Sequence, residues 1–301
     1  MNKPRISIII LNWNGLKYTV DCLESLKRIT YPNYEIIVVD NNSGSNEADA
    51  LEKKYKGYIR LIRNKENLGF AEGNNVAIRE VIKEGKSDYI VLLNNDTIMT
   101  ESFLDELAAV AEKDERIGTC SAKILRIDDH KIIDSTGHTL RAGMVMDRGQ
   151  GKLDKKQYDN KTNVIGASAS GALYRRKLFE DIGLFKKEFS GYDDGEFSWR
   201  TLKNKWRARF VPSAIIYHYR GASTFQSEDK EIIFKFEKLF FDSSIKVLNL
   251  YGSWIDKLKF LIIILLEIGI NLFKVILNWH DKEKRKRIIS GRIKCLQMVN
   301  L

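Results

Sequence analysis

The sequence ISIIILNWN, at residues 6–14 of this 301-residue chain, gives the strongest indication of its fold. The run Ile6–Leu11 is apolar at nearly every position, which predicts a strand buried on both faces of a sheet. The run is short for the apolar segment of a secretory signal, and Asn12-Trp13-Asn14 follows in place of a small-residue cleavage site. We therefore expect a buried first strand, with the working part of the chain in the cytoplasm.

Three more runs of this kind follow within the first 120 residues, and segments with helical spacing of apolar residues separate them. They are Glu35–Asp40, Tyr58–Arg63 and Tyr89–Leu93. Buried strands that alternate with helices are typical of a parallel sheet with crossover connections. The predicted fold class is therefore α/β, with a mainly parallel Rossmann-like sheet flanked by helices.

The composition is that of a folded protein. Hydrophobic residues make up 44% of the chain, charged residues 30%, and only 3 residues are proline, which excludes a disordered or collagen-like chain. The net charge of +10 favours anionic partners. Cys22, Cys120 and Cys295 lie far apart, which excludes a disulfide framework and a zinc ribbon.

Each predicted strand of the first half runs into a cluster of polar residues. The four clusters are Asn12-Trp13-Asn14, Asp40-Asn41-Asn42-Ser43, Asn67-Leu68-Gly69 and Asn94-Asn95-Asp96. Any one of them has an ordinary interpretation, since Asn and Asp favour turns and helix caps. Ligands of an open α/β sheet, however, bind at the carboxyl ends of its strands. Four clusters at four such ends indicate one ligand site.

The second half of the chain is less regular. Residues 121–165 are polar and contain several glycines, so we expect irregular or hairpin structure there. The small residues at 164–172 either bring the backbone close to a substrate or permit tight strand packing. Helices are expected at Arg176–Ile182 and from about Asp194. The expected final strands, Arg209–Val211 and Ala214–Tyr219, are separated by Pro212.

An acidic cluster stands at the predicted start of the second of these helices. Asp193, Asp194 and Glu196 fall within four positions. As structural residues they would cap free N–H groups and complement the helix dipole. Crowding of like charges also raises the pKa of at least one carboxyl group, as a general base requires. Glu196 has Arg200 one turn later as a structural partner, which leaves Asp194 or Asp193 as the candidate base.

Asp96 and His218 are candidate metal ligands. A single carboxylate at a strand end suits Mg²⁺ or Mn²⁺, which keep open positions for water and substrate phosphates. A lone histidine is usually not a ligand, but His218 follows an apolar strand and precedes a glycine-containing loop. Its imidazole would shift the preference of the site toward Mn²⁺.

Six stretches of the chain, in order between residue 4 and about residue 225, resemble family 2 glycosyltransferases with the GT-A fold, in their rhamnosyltransferase-like branch. They are residues 8–14, 37–43, 67–75 and 92–96, the acidic helix start at 192–200, and His218 with Ser223. The metal element of this family reads Asn-Asn-Asp here, so Asp96 alone supplies a carboxylate. The acid pair reads Asp-Asp where Glu-Asp is usual.

The resemblance implies an inverting transfer of a sugar from a nucleotide-diphosphate sugar to a hydroxyl group of a glycan or a lipid-linked acceptor. It implies that Asp194 is the catalytic base, with Asp193 beside it, and that Asp96 and His218 bind a divalent cation, Mn²⁺ or Mg²⁺. Asp40 would hydrogen-bond the nucleotide base. The donor would be bound by Asn12, Trp13, Asn14, Asp40, Asn42, Asn67, Gly69, Asn94 and Asn95, and the acceptor by Ser170, Gly171, Ala172 and Trp199.

Two other functions remain open at this point. A nucleotidyltransferase shares an α/β nucleotide site, but residues 12–17 are a poor version of the glycine-rich, lysine-bearing phosphate loop that it needs. A catalytically silent module that binds nucleotide sugars is favoured by the single carboxylate of the metal element.

The chain is predicted to consist of a catalytic domain and a helical extension. The catalytic domain spans 1–226, with a nucleotide-binding half at 1–120 and an acceptor and catalytic half at 121–226. The extension spans 227–301.

The extension is first apolar and then basic. Residues 254–273 reach the length of a bilayer span, ~20 largely apolar residues, only if Glu267 and Asn271 are included in the span. We therefore expect a membrane-surface or re-entrant helix. Seven basic and two acidic residues between Asp281 and Lys294 account for half of the net charge, which predicts a basic amphipathic helix and does not fit a nucleic-acid groove. We expect peripheral attachment to the anionic inner face of the cell membrane. The alternative is packing on the catalytic domain or on the second subunit of a homodimer.

Overall fold

The computed structural model describes residues 3–219 and 230–277. The strands are β1 (Ile6–Asn12), β2 (Tyr34–Asp40), β3 (Arg60–Arg63), β4 (Tyr89–Asn94), β5 (Thr97–Met99), β6 (Ile117–Arg126), β7 (Ile133–Ser135), β8 (His138–Arg141), β9 (Met144–Asp147), β10 (Asn163–Val164), β11 (Gly171–Arg175) and β12 (Arg207–His218). The helices are α1 (Leu16–Leu26), α2 (Glu47–Lys54), α3 (Gly69–Glu84), α4 (Phe103–Ala111), α5 (Arg176–Ile182), α6 (Asp193–Lys203), α7 (Lys230–Tyr251) and α8 (Trp254–Leu277). The basic segment at 281–294 and Ser223 lie outside the described residues.

One large sheet contains strands from both halves of the chain. Within the described residues its order is β10-β12-β6-β11-β4-β1-β2-β3, with β5 paired to β12 and β7 paired to β6. β1 lies between β2 and β4 and is parallel to both, and β3 is parallel to β2. Parallel neighbours need crossover connections, which α1, α2 and α3 provide. The predicted α/β fold with a mainly parallel sheet is therefore confirmed.

The central strand β1 is buried on both faces, as its sequence predicts. On one face Ile8 packs in a cluster with Leu23 of α1 and Phe103 of α4. On the other face Ile9 packs in a cluster with Ile78 of α3. Burial of each large apolar side chain contributes about 1.5–3 kcal/mol, so the two-sided core holds the sheet firmly beneath the strand ends.

Residues 121–165 are more regular than expected. β6 continues through this segment to Arg126, and the predicted hairpin is present as β8 and β9. The strand escapes sequence analysis because Thr119, Ser121 and Lys123 are polar and nevertheless buried. Lys123 keeps its charge there because its Nζ lies 3.0 Å from Asp154 Oδ2 and also contacts a second aspartate.

Pro212 does not end a strand, contrary to the prediction. β12 runs without a break through Pro212, and its pairing with β6 shifts register around that position. A bulge accommodates a residue that has no N–H group to donate. β12 thereby carries His218 to a position opposite Thr97 of β5, next to Asp96.

α7 and α8 are the described part of the C-terminal extension. Neither residues 3–219 nor residues 230–277 contain a helix that combines the length and the apolar character needed to cross a bilayer. One side of α8 is nevertheless apolar and exposed, and it includes Trp254, Leu258 and Leu261.

The buried pair of Glu196 and Arg200 connects α6 to the loop that precedes it. Arg200 Nε donates to Glu196 Oε1 at 2.8 Å, and its Nη atoms donate to the backbone carbonyls of Ile182 and Leu184 at 2.6 Å each. Tyr251 of α7 also donates to Glu196 Oε1 at 2.7 Å. The pair that the helical spacing predicts is therefore present, and it joins three segments.

Arg200→Ala should lower the free energy of unfolding by up to about 3–5 kcal/mol, because it removes the hydrogen-bonded cationic partner of the buried Glu196 and leaves only the longer contact with Lys186 at 3.5 Å. Arg79→Ala is the matched control, since Arg79 pairs with Glu72 near the surface; we expect a change below about 1 kcal/mol. Urea denaturation of the full chain measures both values. Equal effects of the two substitutions would show that the buried pair does not stabilise this part of the fold.

Candidate active site

A cavity of about 400 Å³ opens at the carboxyl ends of the central strands. Its walls include the loops after β1, β2 and β4 on the one hand and the start of α6 on the other. The predicted site residues that line it are Trp13, Asn67, Gly69, Asn94, Asn95, Ser170, Asp193 and Asp194. The strand-end clusters therefore meet the acidic helix start at one cavity.

Four predicted donor residues lie beneath or beside this cavity and do not line it. Asn12 is fully buried, and its Nδ2 donates to Asp40 Oδ1 at 2.9 Å. Asn14 Oδ1 accepts a hydrogen bond from Gly44 N at 2.8 Å, and Asn42 is exposed. These side chains shape the loops after β1 and β2. A contact between Asp40 and a nucleotide base stays a prediction.

Asn41, which sequence analysis passed over in favour of Asn42, connects two of the strand-end loops. Its Oδ1 accepts from Asn64 Nδ2 at 2.9 Å, and its Nδ2 donates to Asn67 Oδ1 at 2.7 Å. These bonds hold the loop after β3 against the end of β2. In the sequence, Asn41 is distinguished as the first residue beyond a buried strand. The sequence alone does not show which of two adjacent asparagines forms the hydrogen bonds between the loops.

Of the four predicted acceptor residues, Ser170 lines the cavity and the other three do not. Trp199 is buried, and its indole Nε1 donates to a backbone carbonyl of the β8–β9 turn at 3.1 Å. Gly171 and Ala172 belong to β11, between β4 and β6. A Cβ atom on Gly171 would lie 2.0 Å from Ile216 Cδ1. Gly171 therefore serves tight strand packing, and an acceptor contact of Gly171, Ala172 or Trp199 stays a prediction.

Asp193 is the more buried of the two carboxyl groups at the start of α6. Its Oδ2 accepts from Gly191 N at 3.0 Å, and its Oδ1 is buried without a hydrogen-bond partner. Burial, and secondly the neighbouring Asp194, raises the pKa of Asp193 to about 7. The predicted rise in a carboxyl pKa is therefore present, although burial contributes more to it than crowding does.

Asp194 is more accessible and lies near a buried histidine that sequence analysis assigned no role. Asp194 Oδ2 accepts from Ala169 N at 3.2 Å and lies 3.9 Å from His138 Nε2. His138 Nδ1–H donates to Ser198 Oγ at 2.8 Å, while Nε2 lies 3.5 Å from Asp147 Oδ1. Burial opposes protonation of His138, but Asp147 and Asp194 outweigh it and raise its pKa. Burial raises the pKa of Asp194, and His138 opposes that rise.

Asp96 and His218 meet where β12 ends. Asp96 Oδ1 lies 3.1 Å from His218 Nε2, and both side chains are buried. Asp96 Oδ1 makes no hydrogen bond. Burial opposes protonation of His218, but the carboxylates of Asp134 and Asp96 outweigh it and raise its pKa to about 9. The environment of these two side chains therefore favours a positive charge.

These residues fit a divalent cation that takes the rest of its coordination from a substrate. No group of three or more His, Cys, Asp or Glu side chains within the described ranges could hold an ion by itself. A carboxylate oxygen and an imidazole nitrogen are nevertheless ligands that Mn²⁺ accepts. Mg²⁺ commonly binds one or two carboxylates together with substrate phosphates. Asp96 and His218 therefore have the chemistry of two such ligands, and their role in binding a cation stays a prediction.

Solved structures identify the class of fold. The chain matches the mannosyltransferase PcManGT from Pyrobaculum calidifontis, solved in complex with GDP-Man and Mn²⁺, with a TM-score of 0.60 and 15% identity over 98% of this chain and 88% of that one. It matches GalNAc-T7, solved with UDP, GalNAc and Mn²⁺, with a TM-score of 0.63 and 16% identity over 84% of this chain and 49% of that one. The fold is GT-A, as the resemblance implied.

Sequence comparison identifies the family. The profile of Glycosyl transferase family 2 matches residues 7–183, and the chain belongs to that family. YwdF of Bacillus subtilis (strain 168), described as an uncharacterized glycosyltransferase, is 26% identical over 226 residues, which cover 75% of this chain and 78% of YwdF. EpsH of the same strain, described as a putative glycosyltransferase, is 22% identical over 261 residues, which cover 85% of this chain and 71% of EpsH.

Asp193→Asn should change how stability depends on pH. In the folded protein the pKa of Asp193 is about 7, above its ordinary value of 3.8, so the folded chain holds a proton that the unfolded chain has released. The stability contributed by this proton is present below pH 3.8 and is lost as the pH rises through about 7. Over this window wild-type protein should lose more unfolding free energy than Asp193→Asn, measured by urea denaturation.

Asp129→Asn, which alters an exposed carboxylate, is the control for that comparison. It should follow the wild-type dependence of unfolding free energy on pH. The same dependence in all three proteins would contradict the raised pKa of Asp193.

Proposed function

We propose that this family 2 glycosyltransferase moves a sugar from a nucleotide-diphosphate sugar to a hydroxyl group of a glycan or a lipid-linked acceptor, with inversion at the anomeric carbon. One observation carries the proposal. Asp194 lies in the same cavity as Asn94 and Asn95, the residues that lead directly into Asp96. Asp96 and His218 do not themselves line the cavity. A candidate base that faces the strand end leading into the candidate cation site can nevertheless hold both reactants in position for a single displacement.

Asp194 is the group proposed to accept the proton of the acceptor hydroxyl. About a third of its side chain (30%) is exposed, whereas Asp193 is 5% exposed as a residue. The N–H of Ala169 holds one carboxylate oxygen of Asp194, which restrains its orientation. A general base must come within hydrogen-bond reach of the proton that it takes. Accessibility therefore favours Asp194 over its neighbour.

Asp96 and His218 would hold the divalent cation, Mn²⁺ or Mg²⁺, which when bound supplies positive charge against the departing diphosphate. The buried Asp96 Oδ1 without a hydrogen-bond partner supports this assignment. So do the two solved structures, which contain Mn²⁺ together with GDP-Man or UDP. A glycosidase needs a second carboxyl group to protonate its leaving group. A nucleoside diphosphate is a better leaving group, so one base suffices here.

The proposed reaction is a single displacement. Asp194 takes the proton of the acceptor hydroxyl as the hydroxyl oxygen forms a bond to the anomeric carbon. The bond between that carbon and the diphosphate oxygen breaks, and the nucleoside diphosphate leaves with the bonding electrons. Trp13, Asn67 and Gly69 line the same cavity and are proposed to contact the nucleotide of the donor.

A catalytically silent module that binds nucleotide sugars is the second candidate. It is favoured by the small ligand set, since the described ranges contain no group of three or more residues able to hold a metal ion. The nucleotidyltransferase alternative loses its support because the chain belongs to glycosyl transferase family 2.

Asp194→Asn should lower the rate of sugar transfer by at least about 100-fold, because a positioned general base contributes about 10²–10⁴-fold. Binding of a nucleoside diphosphate with Mn²⁺ should be unchanged, and thermal stabilisation of the protein reports that binding. The rate is measured as release of nucleoside diphosphate by the full chain, after a screen of nucleotide sugars with Mn²⁺ has identified the donor.

Asp193→Asn is the matched comparison, because it makes the same chemical change one residue away, and it should lose less activity than Asp194→Asn. The opposite ranking would assign the base to Asp193. Wild-type protein that binds a nucleotide sugar and Mn²⁺ but transfers no sugar would support the silent module instead.

We also propose that the extension attaches the protein to the anionic inner face of the cell membrane, within reach of a lipid-linked acceptor. Trp254, Leu258, Leu261 and Leu265 recur at helical spacing on α8 and are exposed. Lys257 is exposed among them. An apolar helix face that carries basic residues suits an anionic bilayer surface, and the basic residues beyond the described part would add attraction.

Replacing Leu258, Leu261 and Leu265 together by Gln should reduce the fraction of full-length protein that floats with phosphatidylglycerol vesicles by at least about tenfold, because each buried leucine contributes about 1.5–3 kcal/mol. Leu153→Gln, which alters an exposed leucine elsewhere, should leave flotation unchanged. Unchanged flotation of the triple variant would refute the lipid contact. A change from dimer to monomer in light scattering would assign this face to a homodimer.

A further inference from the structure

A second carboxylate, that of Asp134, contacts the ring of His218. His218 Nδ1–H donates to Asp134 Oδ2 at 2.7 Å, and both side chains are buried. We propose that Asp134 is a positioning residue, which holds the His218 ring so that Nε2 faces the cation site formed with Asp96. This inference rests on the cation site of the proposed function and extends it to a residue outside the family pattern described above.

The register of four neighbouring strands places the three side chains in a row. β7, which carries Asp134, pairs with the C-terminal part of β6, and β12 pairs with that same part of β6. β5 then pairs with the end of β12, so that His218 lies opposite Thr97, directly after Asp96. Asp134, His218 and Asp96 therefore come from strands or strand ends that lie side by side, although they are far apart in the chain.

The hydrogen bond selects which nitrogen of the ring is available. Because Asp134 accepts the proton on Nδ1, Nε2 is the nitrogen that would lose its proton when a cation binds, and it lies 3.1 Å from Asp96 Oδ1. A metal-bound histidine commonly donates its other N–H group to a carboxylate, which fixes the tautomer and the orientation of the ring. Asp134 has this relation to His218, while Asp96 Oδ1, which makes no hydrogen bond and lies beside Nε2, is placed to serve as the other ligand.

A purely structural role would have a different signature. A buried imidazole needs a hydrogen-bond partner whether or not it binds a metal, and Asp134 would then matter for stability alone. The two roles are separated by the effect of Asp134 on Mn²⁺ affinity and by whether that effect requires His218.

The experiment measures Mn²⁺ binding to the full chain in the presence of UDP or GDP, whichever stabilises the protein, from the electron paramagnetic resonance signal of free Mn²⁺, with a protein-free sample to correct for Mn²⁺ bound by the nucleotide. Asp134→Asn should weaken Mn²⁺ binding by about 10–100-fold. Asp129→Asn, an exposed carboxylate of the same segment, should leave the affinity unchanged. Circular dichroism and thermal unfolding establish that each variant is folded. Wild-type affinity in folded Asp134→Asn would overturn the proposal.

A double-mutant cycle with His218→Gln tests the coupling directly. If Asp134 acts through His218, adding Asp134→Asn to His218→Gln should cause no further loss of Mn²⁺ affinity. Losses that add in full would overturn the positioning role, because Asp134 would then act without the ring.

A measurement on the unmodified chain covers the case in which Asp134→Asn fails to fold. The chain has 4 histidines, so nitrogen-15 resonances of the imidazole rings can be assigned in protein loaded with Mg²⁺. His218 should carry its proton on Nδ1, and a proton on Nε2 would overturn the proposal.

Wild-type protein that binds no Mn²⁺ would overturn it as well. Normal metal binding with no sugar transfer would instead refute the proposed function and leave the role of Asp134 standing.

Discussion

The structure depends on the parallel pairing of β1 with β2 on one side and with β4 on the other. In this register Asn12 lies opposite Asp40, and Leu11 lies opposite Asn94. Polar residues from distant parts of the chain therefore arrive at the same edge of the sheet. A slip of one residue would exchange the residues on the two faces of β1. The packing of Ile8 on one face and Ile9 on the other therefore fixes the register that forms the site.

The electrostatics of the site rest on two buried histidines, each placed between carboxylates. One cluster is His218 with Asp96 and Asp134, and the other is His138 with Asp147 and Asp194. In each case burial opposes protonation of the ring, but the acids outweigh it. Each ring places a positive charge beside acids that are wholly or partly buried, and charges that are buried without compensation are costly. The first cluster favours a cation, and the second leaves one carboxylate open to the cavity.

The first half of the fold and several cavity residues could be predicted because they follow from local patterns. Apolar runs of strand length identified β1, β2 and β4, and the rule that ligands bind at strand ends placed Trp13 and Asn94 at the cavity. β6 was missed because Thr119 and Lys123 look exposed in a sequence, although neighbouring strands bury them. The role of Asp134 could not be predicted either, because its hydrogen-bond partner is a histidine more than eighty residues away in the chain.

The alternating strands and helices, the polar clusters that follow the strands and the match to the family are properties of contiguous segments, and the sequence alone therefore predicts them. The folded structure is needed to show that Asn41 connects two loops whereas Asn42 is exposed, and that Asp194 is partly exposed whereas Asp193 is buried. Adjacent residues of the same type have the same local signal. What separates them is their burial and hydrogen bonding, and both depend on contacts between segments that are distant in the chain.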